Sequence, residues 1–146
     1  CRESALRLLD AADRPSGALR DRLIDKGYDD ETVAAVVDRL IEVGLVDDES
    51  YAQSAVRYCV GRLMGYRGAV MELARKGVDR PLAERVCDEA RMSGVFEDAA
   101  WELGRRSAAK TQGMDPKVRK RRFWSSGGRK GHDAETLRAI AHELFD

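Results

Sequence analysis

Between Lys117 and Lys130 the chain carries seven cations, Lys117, Arg119, Lys120, Arg121, Arg122, Arg129 and Lys130, around Phe123 and Trp124, with no carboxylate among them. Cationic side chains neutralise phosphates, and an exposed Trp124 can stack on an unpaired base, so the run is a candidate contact for single- or double-stranded DNA. Two other readings stand beside it. Phe123 or Trp124 anchors a core while the cations keep a loop soluble, or the same cations meet an acidic protein surface. Further upstream, Tyr51 is followed by Arg57, Arg62, Tyr66, Arg67 and Lys76. Aromatic residues and arginine are the types enriched in binding hot spots, which makes these candidates for a protein partner. The alternative packs Tyr51 and Tyr58 partly into a core and leaves the arginines as a solvated face.

Nothing comparable points to catalysis. His132 and His142 have no nucleophile or ligand partner at useful spacing, and no glycine-rich phosphate loop or nucleophile elbow is present. The acidic run Asp47-Asp48-Glu49 suits the start of a helix, where consecutive carboxylates point in different directions and hold no common metal ion. Cys1, Cys59 and Cys87 form no Cys-x-x-Cys pair and are odd in number, so reduced thiols are expected. The expectation is a protein that is no enzyme and takes no cofactor.

The elements that must position these residues follow from a repeat. Lys26-Gly27-Tyr28-Asp29, Lys76-Gly77-Val78-Asp79 and Lys130-Gly131-His132-Asp133 are three copies of one signature. A Lys in a last helical turn, a Gly able to take the left-handed conformation and an Asp that caps the next helix together write a corner between two helices. After the first copy Val33, Val36, Val37, Leu40 and Ile41 form one apolar stripe, matched after the third by Leu137, Ile140, Ala141, Leu144 and Phe145. The middle copy is looser, with Leu82, Val86, Cys87 and Ala90 on the corresponding face and Pro81 in the first turn.

Periodicity and punctuation together predict helices at 2–12, 17–26, 30–43, 48–62, 67–76, 80–92, 95–111, 115–124 and 134–145. Gly27, Gly44, Gly77, Gly94 and Gly113 are expected just past helix ends, and Ser16, Asp29, Asp47, Asp79, Asp115 and Asp133 as N-caps. Ser125-Ser126-Gly127-Gly128 reads as a flexible interruption. The fold expected is all-α: three tandem three-helix repeats, 1–46, 47–94 and 95–146, stacked as an elongated curved solenoid. Charged residues make up 36% of the chain and aromatics 6%, which suits thin cores under heavily charged helices. Acids and bases balance at 26 each, so net charge alone argues for neither a membrane nor a nucleic acid. With no apolar run of membrane length and no signal peptide at the start, the cytoplasm is the expected location, and the missing initiator Met is read as the loss of the natural first residues.

The run Glu42-Val43-Gly44-Leu45-Val46-Asp47-Asp48-Glu49-Ser50-Tyr51-Ala52, then Val56-Arg57, then Gly65 to Val78, resembles the RecX regulatory family. That resemblance implies a modular helical protein, not an enzyme, that binds the RecA recombinase filament and restrains its assembly, ATPase and strand exchange in recombination and SOS repair. It implies a monomer lying in the filament groove, with the candidates at Tyr51 to Lys76 facing RecA. The runner-up is a sequence-independent DNA-binding repeat protein with no RecA contact, and a purely structural scaffold is a third reading.

Overall fold

The computed structural model describes residues 1–146 and is built of nine helices and no strands: α1 (Arg2–Ala11), α2 (Ser16–Asp25), α3 (Asp30–Glu42), α4 (Asp48–Gly61), α5 (Tyr66–Arg75), α6 (Arg80–Met92), α7 (Val95–Lys110), α8 (Pro116–Arg129) and α9 (Ala134–Phe145). The exposed surface is 8954 Å². A compact monomer of 16.3 kDa would expose about 7,500 Å² by surface-to-mass scaling, so the chain is drawn out. No helix is long and apolar enough to cross a membrane.

The repeated signature folds as the residue types require. Gly27, Gly77 and Gly131 take φ of +101°, +102° and +87°, and the residue after each donates its N–H five residues back: Tyr28 to Leu23, Val78 to Leu73, His132 to Gly127. This bond satisfies an otherwise orphaned carbonyl of the ending helix. In the first and third copies the Asp then caps the next helix identically, Asp29 accepting from the Thr32 N–H and Asp133 from the Thr136 N–H, both at 2.8 Å. Those bonds hold both carboxyls below the ordinary Asp range. Asp79 in the middle copy makes no such bond. Its helix has Leu82 where the others have Thr, and Pro81 removes one of the orphan donors instead.

Buried residues gather in three clusters. The first includes Leu19, Leu23, Val33, Val37 and Leu40. The second includes Cys59, Leu73, Val78, Val86 and Cys87, together with Phe96 from the first turn of α7. The third is Ala100, Leu103, Phe123, Leu137, Ile140 and Phe145. The middle cluster, expected to be loose, is the largest, with 12 buried residues. Ala52, Ala55, Ala69 and Ala83 let α4, α5 and α6 approach closely, so small side chains there bring packing where periodicity suggested weakness. Burial pushes the Cys87 thiol up to about 12.

Two further expectations are corrected. Ser16 is not an N-cap: it is the first residue of α2, and its N–H and hydroxyl both donate to Asp48, at 2.6 and 2.5 Å. Nor does Ser125-Ser126-Gly127-Gly128 interrupt the chain, because α8 continues to Arg129. A Cβ on Gly127 would lie 2.4 Å from the Leu137 side chain, so this glycine serves the close crossing of α8 and α9.

The clusters are joined by one arrangement used twice. At each joint a glycine early in one helix rests on the backbone of the next Lys-Gly corner: Gly17 on Gly77, and Gly65 and Gly68 on Lys130 and Gly131. At the second joint the Gly65 N–H donates to the Lys130 carbonyl at 2.8 Å. The repeated corner thus both turns the chain and receives the preceding cluster. The corner at Gly27 has no such neighbour.

Candidate functional site

Residues on the face of α4 seven and then four apart lie one above another, and Tyr51, Tyr58 and Arg62 form such a stripe. Tyr58 is 54% exposed. The Lys76 ammonium lies 5.3 Å from its ring centroid and the Arg62 guanidinium 5.7 Å, both within cation–π range. Lys76 also lines, with Arg14 and Tyr51, a hollow between the first and second clusters. In the other direction Tyr58 and Arg62 share a depression with Arg129 and Lys130. Arg62 and Lys130 then line a cleft of about 510 Å³ with Arg106, Lys110 and Arg122, bounded by the end of α4, α7 and α8. A band of aromatic and cationic residues, with Asp13, Asp47 and Glu72 among them, therefore runs past all three clusters.

The charge along the chain follows the same direction. Residues 1–46 carry a formal charge of −3, residues 47–94 are neutral, and residues 95–146 carry +3. The overall balance of 26 acids and 26 bases conceals this gradient.

The structure sorts the sequence-predicted residues. Tyr51, Arg62 and Lys76 come together on the band. Arg57 does not: it is exposed on another face of α4, beside a hollow with α6, and donates to the Ser54 hydroxyl at 3.0 Å. Tyr66 packs edge-on against Phe96, centroids 6.1 Å apart, under the Arg91 guanidinium at 4.1 Å, and its burial raises the phenol pKa. Arg67 is exposed in the first turn of α5.

The cations of α8 divide. Arg119 bonds the end of α7, donating to the Ala108 carbonyl at 3.0 Å and the Thr111 hydroxyl at 3.1 Å, and covers the Phe145 ring. Arg122, Arg129 and Lys130 face the second cluster. Lys120, Arg121 and Trp124 lie on the α9 side, where Lys120 pairs with Asp146, and Lys117 is exposed in the first turn. Tyr58, which the sequence offered only as a partly packed core residue, is exposed instead, and neither it nor Arg106 nor Lys110 is among the contact candidates read from sequence. The Tyr51–Tyr58–Arg62 spacing would have found the first, whereas nothing in the local sequence brings Arg106 and Lys110 to α8.

The second joint sits under the band. Lys130 Nζ donates to the Arg62 carbonyl and His132 Nε2 to the Leu63 carbonyl, both at 2.8 Å, so the third corner closes the end of α4. Leu63 is the one non-glycine residue with positive φ, +63°. Burial lowers the His132 pKa from its ordinary 6.5, opposed by the Leu63 carbonyl and Asp133, while Lys130 lowers it further. The unfolded imidazole takes its proton first as pH falls. The neutral ring thus stabilises the fold above about pH 6.5, and that contribution is lost as pH drops from 6.5 through the lower folded value. We expect the denaturation midpoint to fall between pH 7 and pH 5.5 more steeply in the unmodified protein than in His132→Gln. Equal slopes, measured by urea titration at each pH, would remove His132 from the account.

Residues 1–40 match the profile of a family described as "RecX, first three-helix domain". A "Regulatory protein RecX" from Thermobifida fusca is 38% identical over 147 residues, covering 98% of this chain and 78% of that protein. A protein of the same description from a Mycobacterium species, strain JLS, is 49% identical over 77 residues, 51% of this chain and 41% of its own. The crystal structure of RecX from Lactobacillus salivarius superposes with a TM-score of 0.85 over 98% of this chain and 93% of that one, at 21% identity, which shows the shared fold.

Proposed function

The chain belongs to the RecX regulatory family, and on that premise we propose that it restrains the RecA recombinase by lying along the RecA nucleoprotein filament. The observation that carries this reading is the continuity of the band: Arg14 of the first unit, Tyr51, Lys76, Tyr58 and Arg62 of the second and Lys130 of the third follow one another across two joints. An elongated chain with contact residues spread along one side suits an extended, periodic partner. The units 1–46, 47–94 and 95–146 each bring a weak contact, and their linkage turns the later contacts into intramolecular events at high effective concentration. A single protomer suffices. The activity belongs to the cytoplasm, where recombination and the SOS response occur, and it lowers filament assembly, ATP hydrolysis and strand exchange without chemistry of its own.

The test is ATP hydrolysis by RecA from the same source on single-stranded DNA, with this protein added substoichiometrically to formed filaments. A progressive decline is expected. Replacing Tyr58 and Arg62 together by alanine should raise the concentration for half-maximal effect about tenfold or more, because a desolvated aromatic–Arg pair is the usual centre of an interface. No decline at any ratio, or an unaltered double variant, would sink the proposal.

A further inference from the structure

We propose that α8 is the crossing point for a single strand of nucleic acid, with phosphates held in the cleft on one side of the helix and a base stacked on Trp124 on the other. The two sides are distinct in the fold. At about 100° per residue, Arg122 and Ser126 fall on one flank of the buried Phe123, and Lys120 and Trp124 on the opposite flank. The first flank closes the cleft that Arg62, Arg106, Lys110, Arg122 and Lys130 line, and no carboxylate lines it. Of these five, only Arg106 has an acidic partner, Glu102 at 3.1 Å. The second flank forms, with Arg138 and His142 of α9, a hollow of about 550 Å³ beside Trp124.

Trp124 is 43% exposed in a chain whose other tryptophan is half-buried against the third cluster. Between the flanks, the outer crest of α8 carries Arg121, Ser125 and Gly128, all exposed, and nothing lies within 4 Å of a Cβ on Gly128. The crest is therefore low at Ser125 and Gly128, where the strand would pass, with the Arg121 cation one turn before it. An acidic peptide would be satisfied by the cleft alone and has no use for the ring, and a duplex presents no unpaired base. Cations tracking a backbone beside an aromatic platform are what sequence-independent binding of a single strand requires.

The inference does not rest on RecA, and its test contains none. Fluorescein-labelled oligo(dT) is titrated with the full chain by anisotropy across a salt series, beside the matching duplex and beside polyglutamate as competitor. Trp124→Ala should weaken oligo(dT) binding about tenfold while Trp124→Phe retains most of it. Lys110→Gln with Arg122→Gln should lower the slope of log affinity against log salt by about 0.7 for each lost phosphate contact. Both sites are exposed, and circular dichroism confirms that each variant folds. Equal binding of duplex, full displacement by polyglutamate with no effect of Trp124→Ala, or no binding at low salt would each overturn the proposal, the second by assigning the cleft to an acidic protein segment.

Discussion

Replacing Phe123 by alanine should cost roughly 3–5 kcal/mol and melt the third helical cluster ahead of the others. Phe123 is fully buried, its ring 5.7 Å from that of Phe145, and its cluster has only six buried residues. The surrounding side chains leave little with which to refill the space, since Gly104 and Gly127 already mark places where α7 and α8 are pressed against α9 side chains. In a quasi-linear array each unit contributes its own stability plus an interface term, so the loss stays largely local. The chain supplies its own reporters. Trp101 and Trp124 are its only tryptophans and both lie beyond residue 94, whereas helix is distributed along the whole chain. In a urea titration of Phe123→Ala, tryptophan fluorescence should therefore change at lower denaturant than far-UV circular dichroism. Coincident transitions, shifted together, would mean that the three clusters unfold as one.

The same distribution decides what could be read without the fold. Helix ends were legible because their determinants are local: a left-handed glycine, a capping Asp and a Lys in the last turn lie within four residues of one another. The stripes from Val33 to Leu40 and from Leu137 to Phe145 were legible for a similar reason, since the period of an α-helix is written in consecutive turns, but Ile41, expected on the first stripe, is 42% exposed at its edge. Gly68 and Gly127 were not. A glycine that permits a close crossing has the same sequence as one that loosens a loop, and only the partner helix tells them apart. The band was half legible. Tyr51 and Arg62 are seven and four residues from Tyr58 along one helix, but Lys76, Arg106, Lys110 and Lys130 reach its surroundings from α5, α7 and α8, and periodicity within a helix marks the buried face without saying which exposed faces meet. The charge gradient was available all along and was hidden by a total of zero.

Gly68→Ala should open the second joint and, with it, divide the band. In an isolated helix the substitution would be favourable, by up to about 1 kcal/mol. Here a Cβ would lie 2.2 Å from the Lys130 carbonyl oxygen, with the Lys130 carbonyl carbon at 3.0 Å, and a Cβ on the facing Gly131 would meet the Gly68 backbone in turn. The obstacle is main chain, which no rotamer change can clear, so α5 and the third corner must move apart. Separation breaks the bonds from Gly65 N–H to the Lys130 carbonyl, from Lys130 Nζ to the Arg62 carbonyl and from His132 to the Leu63 carbonyl, which close the end of α4. The expected net cost is about 1–3 kcal/mol, as for overpacking in a core, with helix content retained. Gly128→Ala is the matched comparison, an exposed helical glycine with open space around it, and should be neutral or stabilising. If the proposed function holds, the joint also fixes the spacing of contacts along the filament. Losing it removes the gain from linkage, so Gly68→Ala should weaken the effect on RecA ATP hydrolysis by well over tenfold while Gly128→Ala leaves it intact. A larger radius of gyration by small-angle scattering, with unchanged circular dichroism, is the signature of an opened joint; an unchanged radius alongside full activity would show that the corner yields to a methyl group and does not hold the band in register.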